Sequence, residues 1–106
     1  MAAVAAAAFR LAPGPQGGLS AQGPLTFATA RAARLLGLTA LEESPAVEQI
    51  DCAGVSACDS AGLAVLLDWL AAARLAGRSL KFTSLPEELM ALGRISDLDP
   101  LLARGV

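Results

Sequence analysis

The 106-residue chain contains no histidine and no tyrosine. Their absence removes imidazole general bases, Ser-His-Asp relays, histidine metal ligands and phenolic acids from its chemistry. Lysine occurs once, at Lys81, and no basic run exists anywhere. The 8 Lys and Arg stand against 10 Asp and Glu, a formal net charge of −2. Binding to nucleic acid needs clustered cations to neutralise phosphates, so nucleic acid is not an expected partner. The two cysteines, Cys52 and Cys58, do not form a C-x-x-C pair, and no histidine is present to complete a zinc site. They read as small apolar groups in a reducing compartment, with a strained local disulfide as the lesser alternative. The chain also lacks a Gly-x-x-x-x-Gly-Lys-Ser/Thr phosphate loop, so it is not expected to hydrolyse ATP. Neither a metal nor a cofactor is expected. Long apolar runs are missing too: Ala61 to Leu67 ends at Asp68, far short of a bilayer span. The opening MAAVAAAAFR is apolar but has no basic residue before Arg10, which is not the pattern of a secretory leader. A cytoplasmic location is expected.

Ala and Leu dominate what remains, in a composition that is 55% hydrophobic with only 3 Phe and 1 Trp. The length suits one domain over residues 1–106 with one small core. So much apolar surface hints at a partner, although exposed alanine is inexpensive. Turn residues divide the chain. Pro13-Gly14-Pro15-Gln16-Gly17-Gly18 separates a strand near Val4–Ala12 from a second near Leu19–Gly23. Thr26 is placed to cap an Ala-rich helix over Phe27–Leu36, stopped by Gly37. Ala46–Cys52 reads as a short buried strand, and a connector through Gly54 and Ala57 leads to Asp59-Ser60-Ala61-Gly62. The clearest helix follows over Leu63–Ala76, with Leu63, Leu66, Leu67 and Leu70 at core-stripe spacing and Gly77 as terminator. Ser79–Ser84 alternates as a strand. Pro86-Glu87-Glu88 opens a helix that turns Leu89, Leu92 and Ile95 inward, and Asp99-Pro100 begins a last helical turn. Strands alternating with helices imply an α/β fold, with a small mixed sheet and right-handed crossovers between its parallel strands.

The run Ile50-Asp51-Cys52-Ala53-Gly54-Val55-Ser56-Ala57-Cys58-Asp59-Ser60-Ala61-Gly62-Leu63 resembles the signature of the STAS domain family. That family is named for sulfate transporters and anti-sigma factor antagonists. Its pattern is a buried strand, a short connector and Asp-Ser/Thr-x-Gly-Leu opening a helix. Gly23-Pro24-Leu25-Thr26 resembles an earlier Gly-x-Leu-Asp element, with Thr26 where Asp is usual. The resemblance implies a STAS-like mixed sheet with helices packed mainly on one face. Two branches differ in function. The antagonist branch accepts a phosphoryl group on the hydroxyl residue directly before the signature glycine. Here that residue is Ala61, which leaves Ser60 as the candidate acceptor. The MlaB-like branch consists of minimal accessory subunits of the Mla phospholipid ABC transporter, and Asp59-Ser60-Ala61-Gly62 is similar to its turn. This second resemblance implies a cytoplasmic, non-enzymatic subunit, held at the inner membrane by the transporter's ATPase. It would support lipid transport that maintains outer-membrane asymmetry.

The candidate partner-binding residues are Asp59, Ser60, Ala61, Gly62 and Trp69. The Ser60 hydroxyl can cap the helix, contact a partner, or do both. Asp59 can be a second cap or can orient the loop. Ala61 keeps the turn small, and Gly62 permits close backbone approach. Trp69 lies about 110° round the helix from the leucine stripe, which suits either a boundary core position or an interface anchor. Leu75 falls on the outward side and can extend a partner patch. Arg74 and Arg78 suit the negative end of their own helix. A carboxylate pair for acid–base work would need an enclosed pocket, of which the sequence gives no sign.

Overall fold

A computed structural model describes residues 8–106. Strand β1 (Arg10–Pro13) and a short 3-10 turn (Pro15–Gly17) lead into β2 (Leu19–Leu25). Helix α1 (Ala30–Glu43), strand β3 (Gln49–Cys58), helix α2 (Ser60–Leu75), strand β4 (Lys81–Thr83), helix α3 (Glu87–Ile95) and helix α4 (Asp99–Arg104) follow. The sheet has 4 strands in the order β1-β2-β3-β4. β1 runs antiparallel to β2, whereas β2, β3 and β4 are mutually parallel. This is the α/β mixed sheet expected from the sequence.

Burial alternates along β3. Ile50 and Cys52 are buried, while Asp51 is half-buried and Ala53 exposed. The helices therefore cover the face bearing Ile50 and Cys52. Helix α2 is central because two of its stripes are apolar. Leu63, Leu66 and Leu70 form one; Val65, Trp69 and Ala73 form the second, and all six are buried. One amphipathic stripe seats a helix on a sheet, and a second lets it hold a neighbouring helix as well.

Several boundaries differ from the sequence reading. Residues 4–7 of the expected first strand lie outside the described residues, and β1 is the short Arg10–Pro13. Helix α1 starts later than expected, at Ala30, because Thr29 holds the preceding loop. Its hydroxyl donates to the Pro24 carbonyl (2.7 Å) and accepts from the Thr26 N–H (3.0 Å). Thr26 is therefore not the cap. Helix α1 also runs past Gly37 to Glu43. Gly37 does not end the helix; it makes room for Trp69, since a Cβ there would sit 2.0 Å from Trp69 Cε2. β3 continues through the supposed connector to Cys58, because β2 pairs with it as far as Leu25↔Cys58. The pairing tolerates Pro24 through register shifts at Ser20/Gln22 and Gly23/Pro24, with Gly23 at φ +93°. In α3, Leu89 is buried and Leu92 half-buried, but Ile95 is 82% exposed rather than inward.

Arg78 has a role that reading its own helix end could not reveal. It lies beyond α2, and its guanidinium reaches across to α1 and the loop after it, donating to the carbonyls of Leu41, Ser44 and Val47. One planar cation thus satisfies the carbonyl end of α1 and ties it to the approach of β3. At the opposite sheet edge from β1, the N–H and carbonyl of Leu80 bond with those of Val106, so the tail runs beside the start of β4.

Candidate functional site

The ends of β2 and β3 lie together on one edge of the parallel sheet, which is where open α/β sheets place their sites. The pair Leu25↔Cys58 brings the loop after β2 beside the loop after β3. Asp59 joins them. Its Oδ1 accepts from the N–H groups of Ala61 (2.9 Å) and Gly62 (3.2 Å), capping α2. Its Oδ2 accepts from the N–H of Phe27 (3.0 Å), 32 residues earlier in the chain. The two sequence alternatives for Asp59, cap and loop-orienting group, are thus both realised in one carboxylate. Hydrogen bonds from the Phe27 N–H first, then from Gly62 and Ala61, hold its carboxyl below the ordinary value of 3.8.

Because Asp59 is the cap, α2 begins at Ser60, and no hydrogen bond is recorded for the Ser60 hydroxyl among the described residues. Ser60 is exposed, Asp59 and Ala61 are half-buried, and Gly62 is buried. Gly62 is required for steric reasons, because a Cβ there would meet the Leu25 carbonyl oxygen at 2.0 Å. Only glycine lets the start of α2 approach the end of β2 this closely. From this turn, Ser60 and the Ala61 side chain face outward, and Gly62 serves the packing.

Trp69 is not at this surface. It is fully buried, donates from Nε1 to the Arg34 carbonyl (3.2 Å), and its ring lies 6.1 Å from that of Phe9. Its alternative as an interface anchor is therefore closed, and the core reading stands. Leu75 is exposed as expected, but at the other end of α2 from Ser60.

The sequence reading missed two residues here. Phe27, expected in a helix, sits in the loop held by Asp59 and is 84% exposed. Together with Arg31, Ala61, Ala64 and Asp68 it lines a groove of about 440 Å³. On the other side of the turn, Ile95 lines a second groove of about 400 Å³ with Cys58, Ser60, Glu88 and Leu92. A large apolar side chain thus flanks each side of a small, polar turn. A phenylalanine beside the Gly-Pro-Leu-Thr element was the one signal available in advance.

Neither thiol is activated. Burial, then the Asp51 carboxylate, pushes Cys52 up to about 12. Partial burial, with Glu88 and Asp59, raises Cys58 as well. Among the described residues, no group of three or more His, Cys, Asp or Glu side chains is placed to hold a metal ion. No helix in that set is long and apolar enough to cross a membrane.

A family model described as Mlab, STAS domain, matches residues 10–103. The chain belongs to the STAS domain family. Among solved structures, this STAS domain is similar to the anti-sigma factor antagonist SpoIIAA in its unphosphorylated form. The TM-score is 0.60 at 16% identity, over 82% of each chain. That likeness is one of fold. No curated protein matches the chain. The segment Asp59–Gly62 lies within the matched residues and opens α2 on the groove-flanked surface.

Proposed function

We propose that this STAS domain is a non-enzymatic, MlaB-like binding subunit that docks on the ATPase of an Mla-type phospholipid ABC transporter. In that role it supports lipid transport that maintains outer-membrane asymmetry, and it sits in the cytoplasm, held at the inner membrane by its partner. The observation that carries this reading is the free Ser60 hydroxyl at the start of α2, exposed between Phe27 and Ile95. The description of the matching family model as Mlab supports the choice of partner. Asp59 and Ala61 complete the contact, the first by holding the turn and the second by staying small. Gly62 contributes indirectly, through the position of the helix start.

An exposed serine on a SpoIIAA-like fold favours a second reading, an anti-sigma factor antagonist switched by phosphorylation of Ser60. The surroundings argue against it. Asp59 and Glu88 line the groove that Ser60 shares, so a phosphate there would meet two carboxylates. Ala61 also occupies the position that the antagonist branch phosphorylates.

The deciding experiment measures binding of the purified cognate ATPase subunit. Ser60→Ala is expected to weaken binding modestly and Ser60→Arg to abolish it, with the far-ultraviolet circular dichroism unchanged. Wild-type affinity in the Arg variant contradicts the reading. Incubation with the cell's serine kinases and intact-mass measurement tests the alternative, which a stoichiometric phosphate on Ser60 would favour.

A further inference from the structure

The charges around the turn are not evenly distributed once internal pairs are removed. On the Phe27 side, Arg34 is neutralised by Asp68 at 3.0 Å, both about half exposed. Arg31 lines the same groove, is exposed, and has no recorded side-chain partner among the described residues. On the Ile95 side, Glu87 is paired with Arg94. Glu88 lines that groove, is exposed, and likewise has no recorded partner. Asp59, between them, directs both carboxylate oxygens at backbone N–H groups. What remains is one cation beside an exposed phenylalanine, one anion beside an exposed isoleucine, and between them a small turn whose single charge, the Asp59 carboxylate, is directed at backbone N–H groups.

We infer that the partner surface of this STAS domain is polarised: the docking segment of the ATPase places a carboxylate against Arg31 and a cationic side chain against Glu88, with apolar side chains over Phe27, Ala61 and Ile95. The inference rests on the docking reading above and adds the chemistry of the occupant. Complementary charge at an exposed rim fixes orientation and speeds encounter, while the apolar centre provides affinity. Opposed charges on either side of the turn admit one orientation of such a segment, because the reversed orientation would juxtapose like charges on both sides.

The test uses the intact protein and the purified cognate ATPase subunit, with affinity and salt dependence as readouts. Arg31→Glu and Glu88→Arg are each expected to weaken binding about tenfold or more, with slower association. The double variant R31E/E88R keeps the net charge of the wild type, so loss of binding there reports position rather than overall charge. Glu42→Lys, on the exposed far end of α1, is expected to bind as wild type does. Unchanged affinity in R31E/E88R, with binding still abolished by Ser60→Arg, overturns the polarity while leaving the docking reading intact. A wild-type protein that does not bind the ATPase overturns both. Concentration-dependent dimerisation through this face, removed by either single reversal, also overturns the inference, because a two-fold axis would pair Arg31 with Glu88 of a second copy.

Discussion

Helix α2 is held differently at its two ends. From Val65 to Ala73 it is fastened by shape, with a fully buried tryptophan seated on a glycine of α1 and a ring contact to Phe9. Just beyond its end, Arg78 secures α1 through three carbonyls. At Ser60 the fastening is one carboxylate and the close approach of Gly62 to Leu25, and the side chains alongside point into solvent. Packing that excludes every alternative gives stability, whereas a turn held by hydrogen bonds leaves its outer surface free for recognition. The division explains how a domain with one small core can present Phe27 and Ile95 to solvent without losing its fold.

Substitutions can break this contrast. The largest effect is expected at the packed end. Trp69→Ala empties the space beside Gly37 and is expected to cost about 3–5 kcal/mol in urea unfolding, while Gly37→Leu drives a side chain into the Trp69 indole and is expected to cost about 3 kcal/mol, the upper end for overpacking. A loss under about 1 kcal/mol in both would show that the two helices are not interlocked. Arg78→Ala comes next, at about 2–3 kcal/mol, because it leaves three carbonyls without their charged donor. Arg78→Lys should recover only part of this, since an ammonium cannot reproduce the planar fork.

The open end should respond less in stability and more in binding. Asp59→Asn is expected to lower the melting temperature modestly and to free the Phe27 loop, seen as faster amide exchange at Phe27. Its pH dependence has a defined sign. The folded-state carboxyl titrates below its ordinary 3.8, so its contribution is complete above that value. The contribution is lost as pH falls below 3.8 through the lowered folded-state value. Acid unfolding of the wild type should show this dependence, and the Asn variant should lack it. Ser60→Arg is expected to shift stability by less than about 0.5 kcal/mol, as surface changes do, while removing ATPase binding. A large loss of stability in that variant would erase the distinction between the two ends.

How much of this was readable beforehand follows the range of each interaction. The leucine stripe of α2, the terminator Gly77, the acidic start of α3 and the strand–helix alternation all depend on neighbours within a few residues, and they stand in the structure close to where periodicity and turn chemistry put them. The Asp-Ser-Ala-Gly turn was legible as a helix start. The choice of Asp59 over Ser60 as the cap was not, because both carry an acceptor oxygen at the helix start, and the second bond of Asp59, from the Phe27 N–H, needs the strand pairing that brings a distant loop alongside. Gly37 illustrates the same limit. Local rules read a glycine after an apolar helix as a stop, yet an indole from a later helix makes it a socket. Ile95 fits the inward spacing of α3 and is nonetheless exposed, since no described element covers that side.

Sequence alone therefore determined the alternation of elements, the STAS resemblance, the lack of imidazole chemistry and the small polar turn. Each follows from residue type and short spacing, which act before the chain is assembled. Tertiary structure decided that Trp69 is core, that Arg78 serves a helix other than its own, and that Arg31 and Glu88 are the charges left unpaired on opposite sides of Ser60. Those outcomes depend on which surfaces and partners meet when distant segments pack, and a carbonyl or carboxylate contributed from elsewhere in the chain leaves no mark in the local pattern.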